Sequence, residues 1–322
     1  MQIMPDCHDE GTSVVYVDDD TDTVHSTDPE HLKDMIQQEV NNTVSWLQDN
    51  RLCVAGDKSK LMIIGTQQLR SSKIKEALSI QVDGKEVQET VSEKLLGVVI
   101  NNKLTWQQHL YGDEENSGLI PQLKQRLGTL RRLSRYMNKK RLKLMASGIF
   151  YSKLVYCLPV YGNVFGLDKY KDTSSRSLSF TTGDCRKLQV LQNSVSRLIT
   201  GARYDTSTSD LLNATGSLSV QQMVAYHTLV MVHKIVNTGL PCYLADRLQL
   251  RSAVGRELRG QGAGMILQSD PTLSVSRGGF VYRGSRLFNM LSWNLRTEIS
   301  VKKFKPGARG WVKENINIRP TT

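Results

Sequence analysis

The sequence predicts an α+β chain: its first ~110 residues mix short antiparallel hairpins with one long helix, and the rest is mostly helical. Three observations predict this. β-Branched residues alternate on both sides of an acidic run between Thr12 and Val24. Asp83-Gly84 separates two short strand-like runs, the residue pair that a two-residue hairpin turn requires. From Leu119 onward, apolar residues recur every three or four positions.

The elements follow in order. Thr12-Ser13-Val14-Val15-Tyr16-Val17 and Thr21-Asp22-Thr23-Val24 form a hairpin around the turn Asp18-Asp19-Asp20. Asp28 is an N-cap with Pro29 at the first helical position, and Leu32, Met35, Ile36, Val40, Thr43, Val44 and Leu47 make one stripe of a helix ending near Asp49. Leu52–Ala55 and Leu61–Ile64 read as strands flanking the turn Gly56–Lys60. Ile80–Val82 and Lys85–Val87 form the Asp83-Gly84 hairpin, and Leu95–Ile100 reads as one buried strand. A helix from Leu119 carries Ile120, Leu123, Leu127, Leu130, Leu133 and Met137 on one face. A second runs from about Lys139 to Tyr156 and stops before Pro159. A third starts near Asp184 and ends at Gly201, and a fourth opens on the capping-box pattern Ser219–Gln222 and ends at Gly239. Residues 169–182 and the Gly- and Arg-rich 251–264 read as linkers. The expected divisions are 1–110, 111–168, 169–250 and 251–322.

Composition narrows the function. Hydrophobic residues at 39% and charged residues at 23% suit a packed core rather than wholesale disorder. No run reaches the roughly 18 apolar residues of a membrane helix, and the N-terminus has no signal-peptide pattern, so an intracellular chain without a membrane role is expected. The five cysteines are scattered without CxxC or zinc spacing, which predicts free, mostly buried thiols. The formal charge is +11, and its distribution says more than its size. No Asp or Glu occurs between Glu115 and Asp168, while Arg131, Arg132, Arg135, Lys139, Lys140, Arg141 and Lys143 crowd that stretch. A one-signed run attracts polyanions and makes binding salt-dependent. Tyr136 and Tyr151 lie among these residues and are expected in the core; His227 and His233 are expected to pack or face solvent rather than bind metal.

One motif carries sharper chemistry. Adjacent carboxylates in Tyr16-Val17-Asp18-Asp19-Asp20 repel one another, by about 4 kcal/mol per pair at 4 Å and an effective dielectric near 20, unless solvent or a hard cation relieves them. Tyr16–Asp19 between two strands resembles the YxDD box of reverse transcriptases. Further segments, in order, resemble those of non-LTR retrotransposons of the jockey/LINE type. Trp46–Leu52 followed by Gly56–Leu61 is similar to the family's helix and NPxKT-type turn. Leu96–His109 resembles its LGV…LTWxxH segment, and Lys187–Asn193 with Arg197–Gly201 resembles its LQxLQN and RxITG helix. Phe280–Asn289 resembles its FxYRGAKLWN stretch.

The resemblance implies a partial polymerase palm of antiparallel hairpins plus a helix, followed by a basic helical thumb and a helical C-terminal region. It implies two-metal nucleotidyl transfer with Mg²⁺ (or Mn²⁺). Asp18 would be a metal ligand, Asp19 its companion ligand, and Lys58 the lysine near the incoming dNTP's phosphates. The implied partners are an RNA template and DNA primer duplex, gripped through phosphates at Arg131, Arg132, Arg135, Lys139, Lys140, Arg141 and Lys143; no specific protein partner is implied. Asp20 departs from the family's usual Thr. The residues before Tyr16 hold no counterpart of the family's earlier palm aspartate or its fingers, so this chain alone is expected not to extend a primer. Two alternatives stand beside this reading: a non-enzymatic, sequence-independent RNA/DNA-binding module, and a decayed element copy.

Overall fold

Asp28 starts the first long helix as its sequence demands. Its backbone is extended, its side chain accepts the Glu30 N–H, and Pro29 occupies the first turn of α1 (Pro29–Asp49). The computed structural model describes residues 12–16, 19–65, 78–165, 180–251, 264–268 and 279–318. The chain divides into two compact units, residues 1–104 and 105–322.

Among the described residues, the first unit holds three antiparallel hairpins: β1 (Thr12–Tyr16) with β2 (Asp19–Thr23), β3 (Ser79–Val82) with β4 (Lys85–Gln88), and β5 (Ser92–Leu95) with β6 (Val98–Asn101). Asp83 and Gly84 both adopt positive φ (49° and 75°), the geometry of the tight turn that their identities predict. Ile80, Val82 and Val87 form a small core, and Ile36, Val40 and Val44, each one turn apart on α1, pack against it. Gln37 extends that contact. Its side-chain amide donates to the Gln81 carbonyl and accepts the Gln81 N–H, both at 2.8 Å, so α1 completes the edge of β3 through one side chain.

Two expectations in this unit are corrected. Leu52–Ala55 and Leu61–Ile64 are not strands. A single 3₁₀ turn, Gly56–Lys58, lies between them, and Leu61 makes one isolated bridge to Glu89. Val54 and Leu61 still pack against the Ile80–Val87 core, while Leu52 and Ile64 are exposed. The expected single strand Leu95–Ile100 is folded in half: Leu96 and Gly97 (φ 46° and 81°) form a second tight turn, with Leu95 opposite Val98.

The second unit is helical: α2 (Gln107–Tyr111), α3 (Leu119–Leu133), α4 (Lys139–Ala146), a π-helical stretch (Ser147–Tyr151), α5 (Ser152–Val155), α6 (Leu158–Tyr161), α7 (Thr182–Thr200), α8 (Thr208–Thr215), α9 (Val220–Thr238), α10 (Cys242–Ala245), α11 (Phe280–Met290), α12 (Trp293–Arg296) and α13 (Val301–Asn315). Helix α9 is buried around most of its circumference, with Met223, Val224, Leu229, Val232 and Ile235 facing α6, α7, α11 and α13. Its N-terminus is the expected capping box between Ser219 and Gln222, and α7 begins with another between Thr181 and Asp184. Gly201 and Gly239 close these helices in the left-handed conformation.

The π-helical stretch has a sequence-level cause. Leu142, Ala146, Phe150, Leu154 and Leu158 are all buried and spaced by four. In an α-helix, four residues overshoot one turn by about 40°, so a run of fours drifts around the axis. A wider turn in the middle returns Phe150 and Leu154 to the buried side.

The helical run from Lys139 ends at Val155, before Pro159 as expected; Cys157 then reverses the chain at φ 52°, and Pro159 sits in the first turn of α6. The thiols are also less buried than expected. Of those described, Cys185 is buried and Cys157 half-buried, while Cys53 and Cys242 are exposed; all four are free.

Candidate nucleic-acid interface

Leu119, Ile120, Leu123, Leu127 and Leu130 fill one side of α3 and pack toward α7. The apolar stripe fixes which way α3 faces, so its basic residues are left to solvent. Arg126 is the exception: its guanidinium donates to the Ile149 carbonyl at 2.5 Å and ties α3 to the π-helical stretch.

Arg131, Arg132, Arg135, Lys139, Lys140, Arg141 and Lys143 are all exposed. They run from the last turn of α3, across its connection to α4, and along α4 itself. The connection is ordered by its own hydrogen bonds. Ser134 N–H donates to Leu130 O, Tyr136 N–H to Leu133 O, and the Asn138 side chain caps α4 by accepting the Arg141 N–H at 2.9 Å. A charge group held on two ordered helices loses less backbone freedom on binding than one on an unstructured arm.

Tyr136 does not enter the core as expected. It is 85% exposed, among the basic residues, because α3 ends at Leu133 and the connection carries Tyr136 out of the phase set by Leu123, Leu127 and Leu130. Tyr151 is half-buried, against Phe150. Leu144, on α4, is 73% exposed. His233 is buried, stacked on Phe304 with ring centroids 3.9 Å apart, and hydrogen-bonded to the Glu298 carbonyl; His227 is half-buried. Burial lowers the pKa of both imidazoles, most strongly through lost hydration.

The acidic run is arranged differently from the expected turn. Asp19 and Asp20 belong to β2, opposite Tyr16 and Val15. Adjacent strand residues point to opposite faces, so these two carboxylates diverge. Asp20 accepts the Ser13 hydroxyl at 2.7 Å, and Asp22 on the same face accepts the Thr43 hydroxyl of α1 at 3.4 Å. Asp19 is exposed, and Asp18 lies outside the described residues. Among the described residues, no three His, Cys, Asp or Glu side chains converge to hold a metal ion. Lys58 is exposed at the end of its 3₁₀ turn, beside Asp57, which pairs with Lys85 at 2.7 Å.

One basic surface was not anticipated. Lys302, Lys303, Lys305 and Lys313 are exposed on α13, whose Phe304, Ala308 and Val312 are buried. The alternation of lysines with a four-residue apolar spacing is the signal that marks it. Among the described residues, no helix is long and apolar enough to cross a membrane.

Comparison of the chain with protein-family models, with curated proteins and with solved structures gave no match.

Proposed function

We propose that the chain is the C-terminal part of a non-LTR retrotransposon reverse transcriptase and that α3, α4 and their connection hold an RNA–DNA template–primer duplex by its phosphates, inside the cell. One observation carries the binding: seven basic side chains are exposed from Arg131 to Lys143, in a stretch of sequence without any acidic residue from Asn116 to Leu167. Helices that display such charges bind backbone phosphates irrespective of base sequence. Hairpins with a packed helix in the first unit and helices in the second support the palm-and-thumb reading. In that reading Asp18 and Asp19 would hold Mg²⁺ (or Mn²⁺), and Lys58 would meet the dNTP phosphates.

A second reading, a sequence-independent RNA/DNA binder without polymerase chemistry, rests on the same seven exposed cations and needs neither Asp18 nor Asp19. Two variants separate the readings on a 5′-labelled primer annealed to RNA. Lys139→Gln/Lys140→Gln/Arg141→Gln should weaken duplex binding under either reading; unchanged binding refutes the interface. Asp18→Asn/Asp19→Asn should remove a Mg²⁺ dependence of binding or extension under the polymerase reading. Unchanged or tighter binding, equal with and without Mg²⁺, supports the binder.

A further inference from the structure

Tyr136 is the most exposed large hydrophobic side chain of the basic segment, and its backbone is held by hydrogen bonds. The Tyr136 N–H bonds Leu133 O at 3.0 Å, Asn138 caps the helix two residues later, and the ring projects into solvent. Arg131, Arg132 and Arg135 precede it and Lys139, Lys140 and Arg141 follow it, all exposed. Leu144 adds a second exposed apolar side chain on α4, one turn after Lys140. A phosphate grip on a duplex has no use for a solvent-facing aromatic ring, because stacked bases offer their faces only at ends and in single strands. An aromatic platform flanked by cations on both sides matches single-stranded nucleic acid, in which each base presents a π-face between two phosphates.

We propose that Tyr136 stacks on an unpaired base of single-stranded RNA or DNA, with the flanking arginines and lysines holding the adjacent phosphates. This rests on the nucleic-acid reading of the α3–α4 surface and adds a second substrate class to it: the unpaired strand beside a duplex, not the duplex itself. The two sources of the same chemistry, ribo- and deoxyribo-strands, share phosphates and base faces and differ in the 2′-hydroxyl.

The test uses the full chain and fluorescence anisotropy with dye-labelled 12-mers of oligo(rU) and oligo(dT), an abasic 12-mer of equal charge, and a blunt RNA–DNA hybrid. Tyr136→Ala should weaken oligo(rU) and oligo(dT) about tenfold, ~1.4 kcal/mol, while leaving the abasic strand and the hybrid unchanged. Tyr136→Trp should restore the single strands. Loss on only one of the two oligomers would assign the platform to RNA or to DNA. Equal affinity of wild-type protein for base-bearing and abasic strands, or a Tyr136→Ala variant that binds every probe like the wild type, overturns the stacking proposal and leaves the phosphate interface standing. Failure of the wild-type protein to bind any of the four probes removes the interface as well.

Discussion

Lowering the pH from 7.5 to 4.5 tests the packing at the start of the second unit through one residue, His109. Its ring is 6% exposed and lies 4.7 Å from the Tyr161 ring and 6.3 Å from Trp106, centroid to centroid. Burial, with a smaller contribution from the nearby Lys153 ammonium, lowers its pKa from 6.5 to about 4. The fold therefore holds the imidazole neutral, whereas the unfolded chain takes up a proton near pH 6.5. Its contribution to stability is complete above that value and is lost as the pH falls toward 4. At about 1.4 kcal/mol per pH unit the whole effect is about 3 kcal/mol, of which about 2.5 kcal/mol has gone by pH 4.5. Urea melts of wild type and His109→Gln at both pH values isolate this part, because other acid-labile groups act on both proteins. The wild type should lose about 2 kcal/mol more than the variant over this range, allowing for residual differences in packing. Parallel losses would refute the burial of a neutral imidazole.

Other consequences follow from the same geometry. A Cβ at Gly118 would lie 2.2 Å from the Gly112 nitrogen and 2.3 Å from the Tyr111 carbonyl carbon, so Gly118→Ala should cost about 3 kcal/mol or more in a thermal or urea melt. Gly128, inside α3 with open space around its Cβ position, gives the opposite sign: Gly128→Ala should stabilise by about 0.5–1 kcal/mol. Ser219→Ala removes one half of the capping box on α9 and should cost about 1–2 kcal/mol, since the Gln222 N–H would then be buried without its acceptor. Gln37→Ala should destabilise the first unit by about 1 kcal/mol by leaving both polar groups of Gln81 without α1, read in a melt of the whole chain as an earlier transition of that unit.

Elements that announce themselves locally were legible in the sequence. Asp28-Pro29 fixed the start of α1, Ser219 and Gln222 the start of α9, and Asp83-Gly84 the β3–β4 turn, because caps and tight turns depend on a few neighbouring atoms. Leu52–Ala55 and Leu61–Ile64 misled because apolar content does not report strand pairing; Val54 and Leu61 meet the core from irregular backbone. The turn inside Leu95–Ile100 was hidden because Leu96 takes a positive φ that its residue type seldom adopts. The basic surface was legible as charge, but its orientation follows from Leu119–Leu130 facing α7, and the exposure of Tyr136 follows from the exact end of α3. The acidic run was legible as a motif, whereas the divergence of Asp19 and Asp20 is a matter of strand register.

The salt dependence of RNA–DNA hybrid binding counts the phosphate contacts made by the α3–α4 surface. Seven phosphate contacts, one for each exposed cation from Arg131 to Lys143, set an upper limit of about −6 on the slope of log K against log salt. The expected slope lies between about −3 and −6 and becomes shallower by about 2–3 in Lys139→Gln/Lys140→Gln/Arg141→Gln. A wild-type slope near zero, or one that the triple substitution leaves unchanged, would contradict a phosphate grip by that surface.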